Sequence, residues 1–311
     1  MALPRAFETV TIPAIAAPMF LTSGPDLVVE TCRAGLVGTF PALNQRATTG
    51  YVAWLEEIQA RLPEGAAPFG VNLIVHKSNP RLEDDLAATV AHRVPLVITS
   101  LGAVREVVAA VHSYGGLVFH DVINRRHAEK AAEAGVDGLI AVAAGAGGHA
   151  GTLSPFALLA EIREVFDGTL VLSGSINTGA QIAAARLMGA DMAYLGTRFL
   201  ATREAMVPAA YKEMVVASRA ADVIYTSAIS GVSANFLRSS IVAAGLDPDD
   251  LPPHGKLDMK GEAKAWATVW SAGHGVGGIS DVPGAYELCR RLVTEYRESM
   301  AAACSDPFAT P

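Results

Sequence analysis

Cysteine is scarce in this sequence, with only Cys32, Cys289 and Cys304. Their odd number, wide separation and lack of C-x-x-C pairing exclude a disulfide framework and a cysteine-based zinc site. No histidine pair or carboxylate–histidine cluster has ligand spacing, so no metal is implied. Long hydrophobic runs are missing too: the longest, Gly138 to Gly148, is too short and too glycine-broken to span a bilayer. Residues 1–10 carry Pro4, Arg5 and Glu8 but no apolar leader core, so a cytoplasmic protein is expected. Basic residues do not dominate: 24 Lys and Arg against 31 Asp and Glu give a net charge of −7. Nothing in that balance steers the chain towards nucleic acid or an anionic membrane. Ser154, Ser173 and Ser175 lack a G-x-S-x-G elbow, which argues against a serine hydrolase.

What is present is a sizeable apolar fraction, 51% of 311 residues, punctuated by 29 glycines spread among short runs. Eight such runs read as strands: Ala14–Pro18, Leu36–Phe40, Phe69–Ile74, Leu96–Ser100, Leu117–Asp121, Gly138–Ala143, Leu170–Ser173 and Met192–Leu195. Their C-terminal ends, near Met19, Leu43, Asn72, Thr99, Asp121, Ala144, Gly174 and Gly196, recur every 22 to 30 residues. That spacing fits a strand, a helix and two short loops, repeated. The strands are near-continuously apolar, as expected when helices cover a parallel sheet. The intervening segments are helix-like: Asp26–Gly35 reads as Asp-capped, while Arg125–Gly135 and Ala180–Gly189 each close on glycine.

Eight units predict an α/β fold, a (β/α)8 TIM barrel, in preference to an open doubly wound sheet. The open sheet would call for a G-x-G-x-x-G turn where this chain has Ala17-Pro18-Met19. Residues 1–202 and 265–300 are assigned to the barrel. Residues 203–264 break the period, with polar stretches such as Asp247-Pro248-Asp249-Asp250 and Pro252-Pro253-His254, and read as a mostly helical insertion after strand eight, packed on the barrel mouth. This insertion is open between a lid and a contact in a homo-oligomer. A helix over Ala285–Met300 closes the ring, and residues 301–311 read as a C-terminal tail.

Chemistry in such barrels gathers at the strand C-termini. The turns Ser173-Gly174-Ser175-Ile176-Asn177 and Gly196-Thr197-Arg198 end strands seven and eight. Glycine lets the backbone approach an anion, hydroxyls add donors, and a following helix start presents unpaired N–H groups. One such turn alone reads as an ordinary cap; two on adjacent strands read as a phosphate site. After strand six, Gly145-Ala146-Gly147-Gly148-His149-Ala150-Gly151 sets one imidazole in a loop stripped of other large side chains. The residues by themselves leave His149 open between a structural role and acid–base or hydrogen-bonding chemistry. His120 and Asp121 also reach the mouth, with His120 read as structural. Asn72 is able to donate to and accept from a ring edge, while His76, beside Lys77, reads as solvent-facing.

Taken in order, Ala16-Ala17-Pro18-Met19, Gly70-Val71-Asn72-Leu73, Ala146-Gly147-Gly148-His149-Ala150-Gly151, the run Ser173 to Phe199 and Ser271-Ala272-Gly273-His274-Gly275 resemble the nitronate monooxygenase family. That family also includes FMN-dependent enoyl-acyl-carrier-protein reductases and NAD(P)H:quinone reductases. The resemblance spans roughly Ile12 to Val293 and implies non-covalent FMN in the barrel mouth. Ala17, Pro18, Met19, Asn72, Gly147 and Gly148 would meet the flavin, and Gly174, Ser175, Gly196 and Thr197 its phosphate. It further implies that His149 takes a proton from a nitroalkane or hydrogen-bonds a small-molecule substrate, with O2 reoxidising the cofactor. Two departures stand out. Family members commonly carry Gln and Glu where this chain has Val142 and Gly145, and His274 replaces the glutamine of an S-A-G-Q-G segment. An NAD(P)H-dependent reductase acting on a quinone or enoyl thioester is the alternative, and a non-catalytic binder of a phosphate ligand is a third reading.

Overall fold

The computed structural model describes residues 3–76, 78–100, 102, 105–251, 266 and 268–308. Its centre is a closed parallel barrel of eight strands: β1 (Ala14–Ala16), β2 (Val37–Pro41), β3 (Phe69–Ile74), β4 (Leu96–Ser100), β5 (Leu117–Val122), β6 (Gly138–Val142), β8 (Thr169–Ser173) and β9 (Met192–Leu195). β7 (Gly148–His149) stands outside that ring. The ring closes where Ala14, Ile15 and Ala16 pair with Ala193, Tyr194 and Leu195. All eight strands read from the sequence are therefore present, and the fold is the expected (β/α)8 barrel.

Strand side chains alternate faces, and the two faces pack against different partners. Ile15, Val37, Ile98, Phe119, Ile140, Val171 and Met192 point inward as one buried cluster. The 3-10 turn Arg5–Phe7 plugs the N-terminal end, with the Phe7 ring 5.9 Å from that of Phe119. Their neighbours Ala16, Val97, Val118, Leu139, Leu170 and Leu195 join the larger cluster beneath the helices.

Those helices are α1 (Pro25–Arg33), α2 (Thr48–Arg61), α3 (Leu82–Ala91), α4 (Arg105–His112), α5 (Arg125–Glu133), α6 (Pro155–Arg163), α7 (Gly179–Leu187) and the single turn α8 (Thr197–Leu200). α1 corrects one expectation. Gly24 is its N-cap and Pro25 its first residue, so Asp26 lies in the first turn, where its carboxylate meets the helix dipole and Arg61 at 2.8 Å. α11 (Ala285–Cys304) closes the ring against α7 and α1, and continues four residues past the expected Met300.

Between α8 and α11 the chain forms α9 (Ala209–Ala217), strands β10 (Val223–Thr226) and β11 (Ala234–Leu237), and α10 (Arg238–Ala243). The strands were not anticipated. They build a three-stranded antiparallel sheet whose third member is β7, so Ala234 pairs with His149 and Asn235 with Gly148. Pro252-Pro253-His254 and Lys77 lie outside the described residues. Among the described residues no helix is long and apolar enough to cross a membrane.

Candidate active site

The C-terminal ends of the barrel strands and the segment after α8 enclose a cleft of about 1970 Å³. Ala17, Pro18, Met19, Asn72, Gly147, Gly148, His149, Gly174, Ser175, Gly196 and Thr197 all line it. Ligand pockets commonly measure roughly 300–1,000 Å³, so this cleft has room for a cofactor and a second molecule together. His76 and His274 do not line it.

The β1 end is fixed by its own backbone. Ala17 donates to the Leu195 carbonyl at 2.9 Å, Met19 donates to Ser23 Oγ at 3.0 Å, and Asn44 Nδ2 donates to the Met19 carbonyl at 3.1 Å. Met19 thus stands as a held apolar wall beside Gly196.

At the end of β8 the backbone turns left-handed twice, at Gly174 (φ +135°) and Ser175 (φ +57°). Among the described residues the N–H groups of Ser175 and Ile176 donate to no protein acceptor, whereas that of Gly174 faces the β8–β9 ladder, where Ser173 pairs with Tyr194. Successive free N–H groups in such a turn form a concave nest for an anion. Thr178 caps α7 in a box with Gln181, which anchors the downstream side of the turn. On the adjacent strand, Gly196 precedes α8, and Thr197 Oγ1 accepts from the Gly273 N–H at 2.8 Å. The two expected phosphate turns are thereby brought to one end of the cleft.

His149 is held by residues far away in sequence. Gly148 N–H donates to Ser271 Oγ at 2.7 Å, and Ser271 Oγ donates to the Asn235 carbonyl at 2.6 Å. Asn235 Nδ2 donates to the Ala146 carbonyl at 2.6 Å. Trp266 meets the imidazole edge-on, with ring centroids 5.5 Å apart. The segment read as a loop is therefore strapped into the β7–β11–β10 sheet. Neither Asn235, Ser271 nor Trp266 was singled out as a site residue in the sequence, because each acts through a contact with no local signature.

A polar row crosses the ends of β3, β4 and β5. Asn72 Nδ2 donates to the Ile98 carbonyl at 3.2 Å and to Ser100 Oγ at 2.8 Å, and Ser100 Oγ donates to Asp121 Oδ2 at 2.6 Å. Both amide hydrogens of Asn72 are thus engaged in the wall. Towards a ligand it offers its carbonyl oxygen alone, a correction to the expectation that it both donates and accepts. Asp121 Oδ1 is buried with no hydrogen-bond partner among the described residues. Burial pushes the Asp121 carboxyl up to about 6, against the Ser100 hydrogen bond and the charge of His149. His120 is buried with Nδ1 2.7 Å from Thr99 Oγ1, and burial, then the charge of His127, lowers it to about 4. Burial likewise keeps Tyr194 a neutral phenol, reinforced by the charge of Asp121. Exposed Arg46 and Lys130 add positive charge at the rim, while Arg81 is paired with Asp85 at 2.8 Å.

Residues 82–295 match the nitronate monooxygenase family. A curated relative from Rhodococcus jostii, (3aS,4S,5R,7aS)-5-hydroxy-7a-methyl-1-oxo-octahydro-1H-indene-4-carboxyl-CoA dehydrogenase, is 28% identical over 74% of this chain. The chain spans only 64% of that relative's length. A nitronate monooxygenase from Paraburkholderia phytofirmans is 28% identical, over 78% of this chain and 77% of its own. Among solved structures, a nitroalkane oxidase from Streptomyces ansochromogenes superposes with a TM-score of 0.84 at 25% identity, covering 95% of this chain and 99% of its own.

Proposed function

The chain belongs to the nitronate monooxygenase family, and on that premise we propose that it is an FMN-dependent oxidoreductase that oxidises alkyl nitronates with O2. The observation that carries this reading is the meeting of the Gly174–Ile176 nest, the Met19 wall and His149 in one cleft.

These residues fit FMN. The unpartnered N–H groups of Ser175 and Ile176, beside Gly196 and Thr197, suit a phosphate without calling on lysine. Ala17, Pro18 and Met19, with the backbone of Gly147 and Gly148, offer a flat apolar face, and Asn72 keeps one acceptor for a ring N–H. When bound, FMN supplies a two-electron acceptor that O2 can reoxidise. The chain's own part is to orient and to manage protons. His149, steadied through Gly148, takes a proton from a nitroalkane carbon or donates a hydrogen bond to a substrate oxygen. Val142, Ala146 and Trp266 keep water from that face of the cleft. The described residues of the insertion, 203–251, serve as a cover for the site, since β11 pairs directly with the strand that carries His149.

A second reading is favoured by the size of the cleft. Its volume, the Arg46 and Lys130 rim and the likeness to a carboxyl-CoA dehydrogenase support a bulkier substrate carrying phosphate groups. A third, NAD(P)H-dependent reduction of a quinone or enoyl thioester, uses the same flavin. Anaerobic mixing of the purified yellow protein with a nitronate, and separately with NADH and NADPH, distinguishes them. Bleaching of the flavin by nitronate alone supports the proposed activity. Bleaching by a nicotinamide alone overturns it in favour of a reductase. No bleaching by any of the three overturns both and leaves the bulkier substrate.

A further inference from the structure

Asp121 sits in the cleft without a task in the reading above. It ends β5, lines the cleft, and has one carboxylate oxygen tied to Ser100 and the other buried with no hydrogen-bond partner among the described residues. A buried acceptor of this kind carries a desolvation cost that a ligand donor would offset. His149 lies close enough for its charge to act on the carboxyl. Asp121 and His149 thus line the same cleft and act on one another.

We propose that Asp121 is a second substrate-contacting residue: its Oδ1 accepts a hydrogen bond from a substrate N–H or O–H, so that the site selects by charge. Ionised, the carboxyl favours a neutral substrate bearing a donor and repels an oxyanion. Protonated, it donates to an oxyanion such as a nitronate. The proposal rests on the substrate lying beside His149, as in the function proposed above.

The change of preference falls near neutrality, because burial holds the carboxyl at about 6. Among the described residues, Arg46, His127 and Lys130 share the cleft with it and carry or can take positive charge. Ser100 and Asn72, from β4 and β3, are neutral at all relevant pH. Tyr194, from β9, stays a neutral phenol, and His120, the preceding residue, stays neutral down to about 4. His149 shares the cleft, and a positive charge on its imidazole would also favour an anion. The experiment must separate the two.

Propionate, a carboxylate of the same shape as ethyl nitronate that has no nitro group to oxidise, serves as the probe. Its affinity for the FMN-loaded protein is measured by titration calorimetry between about pH 5 and pH 8. The expected result is a loss of about tenfold or more across that range in the wild type, flattened to within about twofold in Asp121→Asn. Ser100→Ala, which removes the hydrogen bond that favours the ionised form, moves the loss to higher pH and serves if the first variant does not fold. A flat wild-type profile overturns the proposal. So does a profile that survives in Asp121→Asn and disappears in His149→Ala. FMN retention is followed in the same samples: if Asp121→Asn releases cofactor about tenfold more readily while propionate keeps its pH dependence, the carboxyl serves the cofactor and the proposal falls. Failure to oxidise nitronate at any pH would sink the proposed activity but leave the propionate result standing.

Discussion

Asn235 donates from Nδ2 to the carbonyl of Ala146 at 2.6 Å, across 89 positions of sequence. This bond ties the hairpin that follows the barrel to the loop that carries His149. Asn235 is 1% exposed, so no water is at hand to replace it. Asn235→Leu leaves the Ala146 carbonyl unsatisfied and is expected to cost roughly 1–3 kcal/mol. Denaturant midpoints measure the stability loss. Turnover should fall further than the unfolded fraction accounts for, because the imidazole loses its strap.

His149→Ala is expected to keep FMN and lose turnover by roughly 10²–10⁴-fold, the usual scale for a positioned acid–base group. The nest at Gly174 does not involve His149, so flavin absorbance per mole of purified protein should match the wild type. Unimpaired kinetics on the true substrate would remove His149 from the chemistry.

His120 and Asp121 are neighbours whose burial gives opposite pH slopes. His120 is lowered from 6.5 to about 4, so the folded state resists a proton that the unfolded state accepts. Its contribution is full above about 6.5 and is lost as pH falls towards 4, a loss on the order of 3 kcal/mol. Asp121 is raised from 3.8 to about 6, so the folded state takes up a proton first, and its contribution grows as pH falls from about 6 towards 4. In the wild type the two largely cancel. His120→Gln should therefore gain stability on acidification through that window, and Asp121→Asn should lose it. Thermal melts at about pH 4 and pH 7 test both signs, and equal slopes in all three proteins would refute the assignment.

The barrel was legible because its signal is local. Runs such as Leu96–Ser100 and Leu170–Ser173 are apolar on both faces, and the period of their ends is set by one strand and one helix at a time. The cleft lining was legible for the same reason: Gly174 and Gly196 each mark the end of a strand. What escaped was non-local. His149 read as part of a loop because two residues, Gly148 and His149, carry no strand pattern; their pairing exists only through Asn235 and Ala234. Trp266 gave no sign of its edge contact with the imidazole, and Ser100 gave none of its link from Asn72 to Asp121. Asp26 misled as a cap because Pro25 already fills the first helical position.

Two glycines of the site restrict substitution for different reasons, and the difference can be measured. Gly148 has φ +70°, which L residues rarely adopt, but among the described residues a Cβ there would find only the Trp266 ring edge at 3.9 Å. Gly148→Ala should therefore cost the left-handed backbone alone, roughly 1–2 kcal/mol. Gly273 has φ −88°, open to any residue, yet its Cβ would fall 2.4 Å from the Gly145 carbonyl oxygen and 2.7 Å from the Gly147 nitrogen. Both obstacles are backbone of the His149 loop, and neither can swing aside as a side chain would. Gly273→Ala must push that loop away from Thr197, whose Oγ1 accepts the Gly273 N–H, and should cost roughly 3 kcal/mol or more. It should also weaken FMN binding, because the loop and the Gly196–Thr197 turn separate together. Urea midpoints and flavin release, compared for the two variants, give the order; a Gly148→Ala protein that is the less stable of the pair would show that close backbone packing does not hold this loop.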